Sequence, residues 1–349
     1  MHTAGMRLYT AHGTVLYFDE KIGELRHGPL GGSPDNARIL LDGSHARFLG
    51  SERLAALSFA SVKVRDGVYY FKSSNSLLSA EPNGTVSITA VPHCTPSEQF
   101  MLLPTAFPNA DEFGVHRTIH EDDYLFHHIR SAAPNIDPAS EYFADGRRSA
   151  VTLHDILVND LGFHPDRQFS LLDFASGYGL VARHYPRVLP SADVTTCDIH
   201  AAANSFNNAN IGIATLQSAL LPEDFKPGNK FDVVFALSFF SHISDEFFAR
   251  WLTKLYSLVD DNGFLIFTTH GQVALGKSLG EDDNHFTPYS EQKDLETKYY
   301  GVSYVSPIYV FKLLCQMPTY EAPPSRIALF REGFWWSFQD LYVLAKRSR

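Results

Sequence analysis

Cysteine is scarce. Only Cys94, Cys197 and Cys315 occur in 349 residues, far apart and with no CxxC pair, so neither a disulfide framework nor a structural zinc site is expected. The plain reading of the three is buried, reduced thiols. Basic surplus is missing too. The formal net charge is −10, which argues against a general grip on nucleic acid, because phosphate binding draws on excess Lys and Arg. No run approaches the ~20 apolar residues of a membrane span. The opening MHTAGMRLYTAHG carries no apolar signal-peptide stretch, so a soluble, cytoplasmic protein with no membrane partner is expected. No cluster of residues has metal-ligand spacing, and a metal-independent reaction is expected.

What is present is apolar and aromatic. Residues AVILMFWYC make up 44% of the chain, enough to bury a sizeable core, so disorder is excluded as the default. At roughly 100–200 residues per domain, the length predicts two domains or one enlarged one. Residues 1–104 read as all-β, in short β-rich runs broken by turn signals. SVKVRDGVYYF (61–71) holds the hairpin signal Asp66-Gly67, and SLLSAEPNGTVSITAV (76–91) holds Asn83-Gly84. The units recur at a spacing near ~30 residues, which points to three repeats. The run SLLSAEPNGTV followed by SEQFMLLP (97–104) resembles the repeat of fascin-like β-trefoils, which implies a trefoil-like accessory domain. Its alternative roles are recruiting an acceptor, a homodimer contact or a lid.

The pattern then changes. Residues 105–165 read as a linker punctuated by Pro108, Pro134 and Pro138, then a helical cap in which Val151, Leu153, Ile156, Leu157 and Leu161 fall at helical spacing before Gly162. From 166 to 349 strand and helix alternate. FSLLDFA (169–175), DVTTCDI (193–199), GIATLQS (212–218), KFDVVFALSFF (230–240) and NGFLIFTTH (262–270) read as strands of a buried parallel sheet, with a helix over 245–259. The expected fold class is α/β: a Rossmann-like sheet covered by helices, preceded by a smaller all-β domain.

The chemistry concentrates in Leu171-Leu172-Asp173-Phe174-Ala175-Ser176-Gly177-Tyr178-Gly179, a buried strand running into a glycine turn, with a helix expected from Leu180. Ligands of open α/β sheets bind beyond the carboxyl ends of the strands. Asp198 follows Gly179 by 19 residues (198 − 179), the place of an acid that accepts hydrogen bonds from ribose hydroxyls. Gly177-Tyr178-Gly179-Leu180-Val181-Ala182 also satisfies the dinucleotide fingerprint, so an NAD(P)-linked oxidoreductase is an alternative. Asp173 separates the two readings. A carboxylate just before the turn repels a pyrophosphate and attracts a cationic ligand.

Asp173-x-x-x-Gly177-x-Gly179 resembles the first motif of class I S-adenosylmethionine-dependent methyltransferases, with Ala175 standing where that family usually has its first glycine. The substitution is tolerable only if the φ of Ala175 is negative. Asp198 is similar to the acid after their second strand, FDVVFALSFFSHI (231–243) to their fourth-strand motif, and LVDDNGFLIFTTHG (258–271) to their fifth. EYFADGRRSA (141–150) and the closing FWWSFQDLYVLAKR (334–347), whose QDLYVLAK reads as a last antiparallel strand, resemble a bacterial subgroup near glycan and surface-sugar pathways. The resemblance implies S-adenosylmethionine as cofactor, held by Asp173, Ala175, Ser176, Gly177, Tyr178, Gly179, Asp198, Ile199, Gln217, Ser218, Leu237 and Ser238. Gln217 and Ser218 stand where many relatives place an acid for the adenine amino group. Tyr142 and Arg147 are implied to fold over the cofactor.

The implied reaction is methyl transfer to a hydroxyl, or another nucleophile, of a sugar, glycan or small metabolite. His270 is the first candidate for a base, since its ordinary pKa lies near neutrality, and His242 is the second. Trp335 and Trp336 are candidates to wall an acceptor pocket, with the core as their alternative place. A non-catalytic carbohydrate-binding protein is the third reading, and the intact glycine turn and ribose acid speak against it.

Overall fold

The computed structural model describes residues 6–10, 15–28, 34, 36–42, 44–49, 52–65, 68–74, 76–89, 96–98, 100–103, 115–116, 118–132, 138–164, 166–280, 284–289, 292, 295–316 and 326–346. Cys94, Pro104, Pro108, Pro134 and the Asp66-Gly67 hairpin signal lie outside them. The chain divides into two compact units, Met1–Asp145 and Gly146–Arg349. Residues 105–165, read from the sequence as linker and cap, fall on both sides of that division.

The first unit is antiparallel β. Its strands are β1 (Met6–Thr10), β2 (Val15–Asp19), β3 (Glu24–Gly28), β4 (Arg38–Asp42), β5 (His45–Leu49), β6 (Ser58–Arg65), β7 (Val68–Ser73), β8 (Ser76–Ala80), β9 (Val86–Thr89) and β10 (Phe100–Leu103). Pairing runs β1–β4–β5–β6–β7–β10 and back to β1, a closed ring of six. Closure removes the unpaired edges that a sheet otherwise exposes. Hairpins β2–β3 and β8–β9 lie off the ring and meet through a bridge between Arg26 and Thr85. Gly84 sits at the tip of the second hairpin with φ +86, the conformation that the Asn83-Gly84 signal anticipates. Alternate residues of the strands, among them Leu8, Ile39, Phe48, Phe59, Phe71 and Phe100, form one buried core.

The second unit is a mixed sheet, mostly parallel. Strands β11 (Phe169–Phe174), β12 (Ala192–Asp198), β13 (Ala214–Gln217), β14 (Phe231–Ala236) and β15 (Val259–His270) lie in the order β13-β12-β11-β14-β15, all parallel. β16 (Asn284–Thr287) and β17 (Val302–Val305) extend the end of β15. β18 (Arg326–Trp335) and β19 (Gln339–Ala345) form a hairpin whose second strand runs antiparallel along β15 from Ala345 to Gln339. The order reverses between β12 and β14, so β11 stands at the switch point, where a crevice opens beyond the strand ends. The central strands read as continuous apolar runs because both faces are covered. Leu172, Val234, Leu265 and Phe267 pack with Phe248, Trp251 and Leu255 of the Asp245–Ser257 helix. Asp245 and Glu246 occupy that helix's first turn, where the partial positive charge of the helix end favours acids.

Two local expectations need correction. The helix predicted over 149–161 begins earlier, at Pro138, and runs to Asp155. It closes in a wide turn in which the Leu161 amide donates to the Ile156 carbonyl, and Gly162 (φ +72) ends it. No continuous helix starts at Leu180. A short 3-10 turn (Ala182–His184) and a single helical turn (Tyr185–Val188) stand there, because Pro186 lacks the N–H that a longer helix needs. Among the described residues no helix is long and apolar enough to cross a membrane.

Candidate active site

The first strand delivers a buried acid to the switch point. Asp173 is 4% exposed and accepts a 3.0 Å hydrogen bond from the Tyr185 hydroxyl. Burial pushes its pKa up to about 7 despite that bond, and the nearby Asp198 carboxylate adds to the rise.

The turn that follows is left-handed at three places: Ala175 (φ +60), Gly177 (φ +53) and Gly179 (φ +76). The expectation of a negative φ at Ala175 is thus wrong. The turn keeps the geometry that normally takes glycine there, at the steric cost of a Cβ. The two glycines serve different ends. A Cβ on Gly177 would point into open space, with nothing within 4 Å, whereas one on Gly179 would collide with Ile211 and Asn207. Gly177 borders open space, and Gly179 leaves room for the protein.

Asp198 closes the turn from the next strand. Its Oδ2 accepts from the Gly177 amide at 2.8 Å, and its Oδ1 accepts from the His200 amide at 2.9 Å and pairs with the His200 imidazole at 2.9 Å. Its backbone is fixed on both sides by Asn204, which accepts from the Asp198 amide and donates to its carbonyl. Asn207, fully buried, donates to the Gly177 carbonyl at 2.9 Å. Arg183, also buried, donates to the Gly179 and Tyr178 carbonyls. Sequence reasoning missed His200, Asn204, Asn207 and Arg183. The run AAANSFNNANIG (201–212), with four asparagines in one short helix, was the available signal.

Other predicted residues fall as follows. The Ser176 amide donates to the Cys197 carbonyl, and the Tyr178 ring lies 5.9 Å from that of Phe206. Gln217 spends its amide on the protein: its Nε2 donates to the Ile199 carbonyl at 2.7 Å and its Oε1 accepts from Asn204. Ser218, half-buried beside it, donates its hydroxyl to the Ala219 carbonyl at 3.4 Å. Leu237 is half-buried just past β14. Ser238 (φ +60) donates its amide to Thr268 Oγ1 and its hydroxyl accepts from Gln339.

Tyr142 is fully buried, its hydroxyl donating to Asp123 at 2.6 Å. Arg147 is exposed and, with Arg183, helps hold the buried His184 imidazole down at about 3, although burial is the larger cause. Gly146, next to it, lies against the Leu180 carbonyl so closely that any Cβ would collide. A glycine inside a helix was the signal for that contact. Gly146→Ala should lower stability by about 1–3 kcal/mol, as overpacking does, and weaken cofactor binding through the displaced turn. Thermal unfolding alongside calorimetry checks both, and an unchanged melting temperature would refute the contact.

Trp335 requires a correction. It is 2% exposed, lies 5.4 Å from the Phe235 ring, and points its indole N–H at Ser149 Oγ, so it packs the sheet and does not wall a pocket. Trp336 differs, being half-buried in the β18–β19 turn and stacked on Phe338.

His270 ends β15, and in the ladder it stands opposite Gln339. Its Nδ1 is buried and has no hydrogen-bond partner among the described residues. Burial, and secondarily His242, hold its pKa down at about 4, so the imidazole is neutral at physiological pH. His242 is anchored on Gly301: its Nδ1 lies 2.9 Å from the Gly301 carbonyl, and its ring stacks on Tyr300. The two imidazoles lie 6.0 Å apart.

Residues 172–265, from the middle of β11 into β15, match the family model described as a methyltransferase domain. A search of curated proteins gave no match. Among solved structures, the chain is similar to DhpI in complex with SAH (17% identity, 60% of this chain and 95% of that one, TM-score 0.39). It is also similar to Streptomyces venezuelae DesVI (13%, 66% and 99%, TM-score 0.42) and to an S-adenosylmethionine-dependent methyltransferase from Clostridium acetobutylicum (13%, 64% and 98%, TM-score 0.42). Likenesses at that level carry no argument beside the family match and the site itself. Gly177 is open on one side, with the buried acid Asp173 before it and the buried acid Asp198 after it. The segment 172–265 thus matches a methyltransferase domain.

Proposed function

We propose that the methyl acceptor is a hydroxyl of a small molecule or glycan, with His270 as the base. The observation that carries this is the buried, unpartnered Nδ1 of His270 at the carboxyl edge of the sheet that also holds Gly177 and Asp198. Bound S-adenosylmethionine supplies an electrophilic methyl, so the protein's contribution is chiefly positioning. Asp198 and the rack of Asn204 and Asn207 hold the nucleoside end, and Asp173 faces the cationic end. The methyl would pass from the bound sulfonium to the acceptor oxygen, leaving SAH as the neutral thioether, and His270 Nδ1 would take the hydroxyl proton and release it to solvent.

His270→Ala should lower kcat by about 10²–10⁴ while SAH affinity stays within a factor of about two. His270→Gln should be nearly as slow, because it retains hydrogen bonding but takes no proton. A Gln variant of near-full activity would make His270 an orienting residue, and full activity in both variants would move the role to His242 or show that no base is needed. The pH profile is a separate check. The imidazole must be neutral to accept a proton and titrates at about 4, so kcat/KM should show no His270 limb near 6.5.

The oxidoreductase reading predicts tighter binding of NADH than of SAH, which competitive calorimetry decides. For residues 1–104 we propose a β-trefoil-like module that frames or recruits a larger acceptor. The ring of six strands with two outlying hairpins supports that reading, with the short Glu52–Ala55 helix standing where a third hairpin would be.

A further inference from the structure

Six rings from separate segments converge at the end of β15. His242 follows β14, His270 ends β15, Tyr300 and Tyr304 flank and enter β17, and Trp336 and Phe338 come from the β18–β19 turn. They form a connected set. His242 stacks on Tyr300 (4.9 Å between centroids, 8° between planes), His270 on Tyr304 (5.4 Å, 29°), and Trp336 on Phe338 (6.0 Å, 24°), with Phe338 5.7 Å from His270. The set is not sealed: Phe338 is 37% exposed, and Trp336, Tyr300 and Tyr304 are half-buried.

The turn that brings two of these rings is built against local preference. The Phe338 amide donates to the Trp335 carbonyl, closing a four-residue turn, and both central residues have positive φ: Trp336 at +52 and Ser337 at +64. A hairpin turn with two left-handed centres is ordinarily made from Asn-Gly or Asp-Gly. Here a bulky aromatic occupies the first centre, where it is a steric outlier. Strain of this kind persists where the surroundings enforce it, and it clusters at ligand sites. Packing alone does not explain the arrangement, because Trp336 stays half-exposed while Trp335 next to it is the residue that fills the core.

Resting on the methyl-transfer reading above, we infer that this ring cluster is the acceptor site and that it takes a flat aromatic ring bearing a hydroxyl, a phenol. Offset and edge-on ring contacts suit a planar aromatic guest. A sugar needs several polar partners for its several hydroxyls. This cluster instead presents chiefly ring faces, and its His270 Nδ1, buried and without a hydrogen-bond partner among the described residues, answers to a single hydroxyl. Base strength points the same way. An imidazole held at about 4 is a weak base. A phenol, which ionises near ~10 as tyrosine does, yields its proton to such a base far more readily than an aliphatic alcohol does.

The experiment uses the full chain loaded with SAH. Saturation-transfer NMR with 2-naphthol and 4-methylcatechol should show binding, and methyl α-glucopyranoside should show none. With S-adenosylmethionine, the phenols should be methylated. Trp336→Gly and Phe338→Ala should each raise KM for 2-naphthol tenfold or more while SAH affinity stays within twofold. Trp336→Gly also relieves the left-handed strain, so its melting temperature should hold or rise, which a purely structural tryptophan would not allow. SAH binding with preference for the glucoside, or with phenol KM unchanged in both variants, overturns the inference alone. Failure to bind SAH at all overturns the methyl-transfer reading and this inference with it.

Discussion

Gly177→Val should abolish S-adenosylmethionine and SAH binding, a loss of at least a hundredfold by calorimetry, and leave the fold in place. A Cβ there meets no protein atom within 4 Å, so the branched side chain enters the space beyond β11 and not the core. At φ +53 the valine also strains the backbone, which costs roughly 1–3 kcal/mol. The melting temperature should therefore fall while far-UV circular dichroism is unchanged. Gly177→Ala should strain the turn less and still weaken binding. Gly179→Ala provides the contrast, because its Cβ collides with Ile211 and Asn207 and should act first on stability. Unchanged SAH affinity in the Gly177→Val protein would remove the cofactor assignment from this turn.

Asp173→Asn should stabilise the ligand-free protein at pH 8 and cripple cofactor binding. Asp173 titrates at about 7 in the folded protein against an ordinary 3.8, with burial as the main cause. The folded state thus keeps a proton that the unfolded chain has already released. The stability this contributes is complete below about 4 and is lost as pH rises through about 7. At pH 8 the full penalty is present, on the order of 4 kcal/mol, and the asparagine removes it while still accepting from Tyr185. Denaturant unfolding should show the variant ahead at pH 8 and the gap closing by pH 4. Binding should move oppositely. The ligand's ammonium favours the ionised carboxylate, so wild-type affinity for SAH should weaken by up to about tenfold per pH unit below 7. The variant should bind poorly, with that pH dependence lost. Equal SAH affinity in the two proteins would show that Asp173 does not face the cationic end.

Much of the second unit was legible because its signals are local. An apolar run bounded by turn residues becomes a buried strand wherever both its faces are covered, so five strands and the helix beginning at Asp245 follow from composition alone. The acid-glycine spacing around Asp173, Gly177 and Gly179 and the acid at Asp198 are short-range too. The broken helix after Leu180 was misread although Pro186 was in plain view, because a strand running into a glycine turn predicted a continuous helix there. Ala175 was misjudged for a different reason: the turn is held in place by Asn207, Arg183 and Asp198, and those contacts outweigh one residue's preference for negative φ.

The sequence by itself determined the strand–helix alternation, the position of the glycine turn and the two acids that flank it, since each depends on neighbours a few residues away. Only the tertiary structure decided that Gly177 faces open space while Gly179 faces Asn207, that Gln217 is spent on Ile199 and Asn204, and that Trp335 packs inside while Trp336 stays half-exposed. It alone brought His242, His270, Tyr304 and Phe338 together and closed β10 onto β1. The physical reason is register. Which atoms meet across a sheet or at its edge depends on pairings between segments tens of residues apart, such as His270 with Gln339 or Thr10 with Phe100, and a shift of one residue would turn each of those side chains to the opposite face.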